Sequence, residues 1–203
     1  MEWARAIDLA KNIRLLLLAS CERVEIAGSL RRMRSEVNDI ELVAVPKRNP
    51  FDQLHLQILD MFSYHLLEPG LKSKDGKKAP CGPRYYRLQI PNPPFQLDLF
   101  AVFEPADWGI IFTIRTGSAA FSHWLVTEAL RRGFKVQDGQ LFKIDRKTQP
   151  WILTKIPCPN EGDLFRALGL AFIDPPNREI PPSISTAPQP TNQPTNHTQR
   201  NIT

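Results

Sequence analysis

Apolar residues near the start of the chain recur at three- and four-residue steps: Trp3, Ile7, Ala10, Ile13 and Leu17. That spacing predicts one apolar face of a helix over residues 2–19. Val24 and Ile26 alternate with Glu25, a short strand ending at Gly28. Ile40 to Val45 reads as a second strand stopped by Pro46, and Leu54, Ile58 and Phe62 mark a helix over 51–62. Tyr85 to Ile90 and Phe95 to Phe103 read as strands about the turn Pro91-Asn92-Pro93-Pro94. Further on, a helix is expected from Ser118 to Arg132, ended by Gly133, with an Arg pair suited to the helix dipole. Phe134 to Val136 and Leu141 to Ile144 flank Asp138-Gly139, a strong hairpin signal. Asn160 and Asp163 predict the cap of a short helix carrying Leu164, Phe165 and Leu168, ended before Pro175-Pro176.

These elements predict an α+β fold. Residues 1–103 would form a mixed sheet flanked by helices, and 104–180 a small α/β C-terminal subdomain. From Pro181 the chain is mostly Pro, Ser, Thr, Asn and Gln, so 181–203 reads as a disordered tail. Lys72, Lys74, Lys77 and Lys78 make 72–83 a basic loop, open to two readings: contact with a nucleic-acid backbone or plain solvation.

The chain has 203 residues, enough for a sizeable core. Its net charge of +5 and pI of about 9.3 favour phosphate-rich partners, because Lys and Arg displace counterions from a nucleic acid. Cys21, Cys81 and Cys158 are odd in number and widely spaced, which argues against a disulfide framework or a zinc site. They fit reduced thiols in an intracellular protein, cytoplasmic if prokaryotic. The longest apolar run, Leu15 to Ala19, is far too short to span a bilayer, and Glu2 and Asp8 argue against a signal peptide.

Chemistry concentrates in three places. Gly28-Ser29-Leu30-Arg31-Arg32 follows a strand and opens a helical turn. Backbone N–H groups at such a turn favour an anion, Gly28 allows close approach, Ser29 adds a hydroxyl donor and Arg32 a charged fork. A plain turn is the competing reading. Asn38-Asp39-Ile40-Glu41 comes next. Residues two apart on a strand share a face at about 6.6 Å, so Asp39 and Glu41 make an acidic spot while Ile40 and Leu42 face the core. Solvated surface acids are the alternative. Asp98 sits inside the apolar run Leu97 to Val102, where an unpaired carboxylate is costly to bury. If its strand lies beside the Asp39–Glu41 strand, three carboxylates converge and call for divalent cations. Two Mg2+ ions, with Mn2+ as a substitute, would suit an all-oxygen site and an in-line phosphoryl transfer.

These motifs resemble the three-carboxylate palm of the family X DNA polymerases. Gln96-Leu97-Asp98-Leu99-Phe100 is similar to the family's third carboxylate strand. Thr116-Gly117-Ser118 before a helix resembles its Thr-Gly-Ser turn, beside the incoming nucleotide. Glu161 to Glu179 is similar to the end of its C-terminal subdomain. The resemblance covers roughly 1–180 and implies a nucleotidyltransferase palm plus C-terminal subdomain, the minimal layout of the small viral polymerase X. It implies a template-directed DNA polymerase of repair type, acting as a monomer on a DNA primer-template with a deoxynucleoside triphosphate. Asp39, Glu41 and Asp98 would be catalytic and metal-holding. Gly28, Ser29, Arg32, Asn38, Arg115, Thr116, Gly117 and Ser118 would bind the nucleotide. The chain departs from the family in three places. Glu41 stands where Asp is usual, Ile114-Arg115 where two aromatics are frequent, and Val126 where polymerase beta carries an arginine. Two other readings stay open: the same palm acting on RNA, a small molecule or a protein, and a non-catalytic nucleic-acid-binding module.

Overall fold

The computed structural model describes residues 1–48, 53–70, 81–150 and 152–179. The expected tail, most of the basic loop and the first residues of the 51–62 helix lie outside them. In chain order the elements are α1 (Trp3–Leu17), β1 (Cys21–Ile26), α2 (Gly28–Arg31), β2 (Asp39–Pro46), α3 (Gln53–Ser63), β3 (Glu68–Pro69), β4 (Cys81–Gly82), β5 (Tyr85–Pro91) and β6 (Pro94–Ala101). Then follow α4 (Trp108–Thr116), α5 (Ala119–Arg131), β7 (Phe134–Gln137), β8 (Gln140–Asp145), β9 (Ile152–Ile156), α6 (Glu161–Ala167) and a 3-10 turn at Pro175–Asn177. The result is α+β, a mixed sheet flanked by helices, as expected.

The first sheet runs β1-β2-β6-β5-β3, with β4 beside β5. β2 and β6 are parallel; its other pairs are antiparallel. Side chains alternate faces along a strand. Ile40, Leu42 and Ala44 of β2, with Leu97, Leu99 and Ala101 of β6, therefore enter one core with Tyr86 and Leu88. Helices α1 and α3 cover that face through Ala6, Ala10, Ile13 and Leu17, and Leu54, Ile58 and Met61. Each of these buried leucines and isoleucines contributes about 1.5–3 kcal/mol. The buried stripe of α1 is rotated slightly from the expected one: Ala6 replaces Trp3 and Ile7, which are only half-buried. Trp3 turns to the rim, where its indole N–H donates to the Leu30 carbonyl at 3.0 Å.

Val43, Phe100 and Val102 emerge on the opposite face, where Trp108 and Phe112 of α4 cover them. Helix α4 faces a second core on its other side, where Ile110 packs with Phe121, Leu125, Leu141, Leu164 and Phe165. The antiparallel sheet β7-β8-β9 belongs to that second unit. Ser118 caps α5, its hydroxyl accepting from the Phe121 N–H at 3.0 Å. Asp163 accepts from the Asn160 N–H at 2.9 Å at the start of α6. Among the described residues no helix is long and apolar enough to cross a membrane.

Candidate active site

The face of the first sheet away from α1 and α3 is polar at one end. Asp39 and Glu41 project there from β2, because Ile40 and Leu42 take the core side. The parallel register sets Glu41 beside Asp98 and Asp39 beside Gln96. On the other flank Arg87 of β5 pairs with Asp98. Register partners on adjacent strands share a face about 4.8 Å apart. All three predicted carboxylates thus project from two neighbouring strands on one side of the sheet.

Asp98 is 5% exposed and its oxygens are occupied. Arg87 donates from Nε to Oδ1 and from Nη2 to Oδ2, both at 3.1 Å, and Gln96 donates to Oδ2 at 3.2 Å. Burial, then the charges of Asp39 and Asp98, push the Glu41 carboxyl up to about 7. Burial, then Asp98, raises Asp39 as well, against the opposing pull of Arg87 and Arg32. Burial and Asp98 push the Tyr85 hydroxyl up to about 12. Burial is the first cause in all three cases, and the neighbouring carboxylates add to it. Among the described residues, however, no three His, Cys, Asp or Glu side chains gather about one ion-sized point. Arg87 of β5 and Gln96 of β6 hold the Asp98 carboxylate, and the Glu41 carboxylate packs against Gly28.

Gly28 explains how that packing arises. Its φ is +59°, a backbone conformation that glycine adopts without strain. A Cβ there would overlap the Glu41 carboxylate. The Ala27 N–H donates to the Glu41 carbonyl at 2.9 Å and ties the turn to β2. Ser29 follows, and among the described residues its buried Oγ has no hydrogen-bond partner. Asn38, immediately before β2, is exposed.

The two arginines that follow reach across to the second unit. Arg31 forks onto Glu161, Nη1 to Oε1 at 2.9 Å and Nη2 to Oε2 at 2.6 Å, and donates to Thr116 Oγ1 at 2.7 Å. Its guanidinium lies 3.9 Å over the Phe112 ring. Arg32 donates from Nε to Glu179 at 2.6 Å and from Nη1 to the Thr116 carbonyl at 2.6 Å. Arg178, fully buried, donates to Glu161 at 2.5 Å. Thr116 is buried within this network, and Gly117 packs against Phe121. Ser118 donates through its N–H to the Arg178 carbonyl at 2.9 Å and through Oγ to the Glu179 carbonyl at 2.7 Å. Arg115 is exposed, its guanidinium 3.9 Å over Phe100, and lines a cleft of about 280 Å3 with Arg84, Tyr85, Phe103, Ile111 and Asp138.

The sequence-predicted residues fall into two groups. Asp39, Glu41, Asp98, Gly28 and Ser29 stand on or against the acidic face, with Arg32 and Arg115 within electrostatic reach of Glu41. Thr116, Gly117 and Ser118 spend their polar groups on internal contacts. Sequence reasoning gave no role to Arg87, Arg31, Glu161, Arg178 or Glu179. Arg87 carries one faint signal: it alternates with the inward residues Tyr86 and Leu88, so it shares the outward face of β5.

Residues 112–179 match the family model described as DNA polymerase beta thumb. Among curated proteins none matches the chain significantly. One region, from the middle of α4 through the residues that clasp Arg31 and Arg32, is therefore similar to a polymerase beta thumb.

Proposed function

We propose that this chain is a metal-dependent nucleotidyltransferase and, more finely, a template-directed DNA polymerase of family X type. It would extend a primer 3′-hydroxyl with deoxynucleoside triphosphates. One observation carries the reading: Glu41 lies in register beside Asp98 on parallel strands, with Asp39 two residues away on the same face. The likeness of 112–179 to a polymerase thumb also supports it.

The donor set fits hard divalent cations. It consists of carboxylate oxygens alone, and burial, then neighbouring carboxylates, disfavours the charged forms of Glu41 and Asp39, which positive charge between them would offset. Asp39, Glu41 and Asp98 would hold two magnesium ions, which when bound neutralise charge on the entering and leaving oxygens. Asp98 must first exchange its contacts with Arg87 and Gln96 for that role. The buried Ser29 hydroxyl, unpartnered among the described residues, is a donor poised for a phosphate oxygen. Arg32 would neutralise charge on the departing pyrophosphate. Arg31, committed to Glu161 and Thr116, would keep the thumb-like region in place over the acidic face.

Primer extension on gapped and open templates tests the reading. Wild type should add deoxynucleotides in the presence of Mg2+ or Mn2+. Asp98→Ala should lose extension almost completely, by at least a thousandfold, about 4 kcal/mol of barrier. Extension that survives Asp98→Ala would refute the assignment.

A further inference from the structure

We propose that Glu179 is a latch on the nucleotide site, its carboxylate holding Arg32 in the position that an incoming triphosphate must take over. The inference rests on the polymerase reading above and names how that site is regulated.

Two acidic residues of the second unit meet the two arginines of the Gly28–Arg32 turn, and they meet them differently. Glu161 receives a bidentate fork from Arg31 and a further bond from the fully buried Arg178, and its own side chain is 9% exposed. Three bonds from two guanidinium groups, sheltered from water, make that contact a permanent joint. Glu179 receives one bond from Arg32 Nε, and Arg34 lies 3.6 Å from the same oxygen. Its side chain is 30% exposed. A single charge-assisted bond at a half-open carboxylate exchanges far more readily than a sheltered fork.

The placement gives that exchange a purpose. Arg32 is 11% exposed, so its charge is partly desolvated and needs an anionic partner. With no nucleotide bound, Glu179 supplies one. Residues 178 and 179 are stitched to the turn before α5 by the two Ser118 bonds, so the Glu179 carboxylate is delivered rather than left to diffuse. The same stitching passes through carbonyl groups and survives when the side chain lets go. Arg32 also keeps its bond to the Thr116 carbonyl, which holds the guanidinium near Glu41 throughout. Displacing the latch subtracts from nucleotide affinity, and it leaves Glu179 free to pair with Arg34, already its neighbour.

The test is calorimetric binding of a non-hydrolysable deoxynucleoside triphosphate with Mg2+ to the full chain, in wild type, Glu179→Gln, Arg32→Ala and the double variant. Glu179→Gln should tighten binding about three- to tenfold, the range expected for losing one partly exposed charged competitor. Arg32→Ala should weaken it, and in that background Glu179→Gln should add nothing. Unchanged or weaker binding by Glu179→Gln, alongside a weakened Arg32→Ala, overturns the latch and leaves the site reading intact. A gain that persists without Arg32 also overturns it, because the carboxylate then acts elsewhere. Unchanged binding by Arg32→Ala overturns the underlying assignment of Arg32 to the triphosphate, and the latch with it. Melting temperature is followed in parallel. If Glu179→Gln impairs folding, Glu179→Asp keeps the charge while withdrawing the carboxylate by one methylene, and the same tightening is expected.

Discussion

Gly28 shows how much of a site one residue can govern. Its positive φ turns the chain from β1 into the Ser29–Arg32 turn, and its missing side chain leaves the space the Glu41 carboxylate occupies. Gly28→Ala imposes two penalties. The left-handed backbone costs about 1–2 kcal/mol for a residue with a Cβ. The added methyl also forces Glu41 off its present position. Thermal melting should fall by about 3–8 °C for a chain of this size, and primer extension should fall with it. An alanine variant that melts and extends like wild type would show that the turn tolerates a side chain and that Glu41 is not held by it. At this scale the sequence was informative where chemistry conflicted with context. Asp98 stood out as a carboxylate in an apolar run, and Asp39 and Glu41 as acids at strand spacing. Arg87 did not stand out, because an arginine on an outward strand position is ordinary until the β5–β6 register sets it beside Asp98.

Among the elements, the contact between α2 and α6 depends on pH through Glu161. Burial disfavours the charged form of Glu161, yet hydrogen bonds from Arg31 and Arg178 outweigh it and hold its carboxyl below the ordinary value of 4.5. A folded-state pKa below the unfolded one means stability that is present above the unfolded pKa and lost as pH falls through the folded one. The clasp should therefore hold at neutral pH and weaken progressively below about 4.5. Glu161→Gln removes the anion and leaves two guanidinium groups facing each other, one of them fully buried with an Nη2 that has no hydrogen-bond partner among the described residues. The expected cost at pH 7 is about 3–5 kcal/mol. Urea unfolding at pH 7 and pH 4 distinguishes this from a generic loss. The variant should lack that part of the wild-type decline, and equal declines in both proteins would mean that Glu161 titrates normally. The sequence read strands and amphipathic helices well, because their apolar residues repeat with period 2 or 3.6. It missed α4, whose Trp108, Ile110, Phe112, Thr113 and Thr116 are all buried, so no polar face betrayed a helix. It missed β9 for the opposite reason: its side chains are exposed along nearly its whole length.

Among the described residues two main cores and a smaller apolar cluster meet at α4, which carries the joint. Ile110 enters the second core while Trp108 and Phe112 close the open face of the first sheet against Val43, Phe100 and Val102. Phe112 also supports the Arg31 guanidinium, whose other side is engaged by Glu161 and Thr116. A single ring therefore backs both the apolar and the ionic parts of the junction. If the clasp is what holds the thumb-like region over the acidic face, truncating that ring should separate the two cores without dismantling either. Phe112 lies outside both main cores, in the smaller cluster with Trp108 and Phe100. Phe112→Ala should cost about 3–5 kcal/mol overall. Its calorimetric trace should broaden or split, with the ratio of calorimetric to van't Hoff enthalpy rising above the wild-type value. Extension should fall more steeply than stability explains at temperatures where both cores remain folded, because Arg31 would no longer fix the turn that carries Ser29 and Arg32. A lone, sharp transition merely shifted to lower temperature would mean that the cores are coupled through other contacts, and α4 would then be a packing helix rather than the joint.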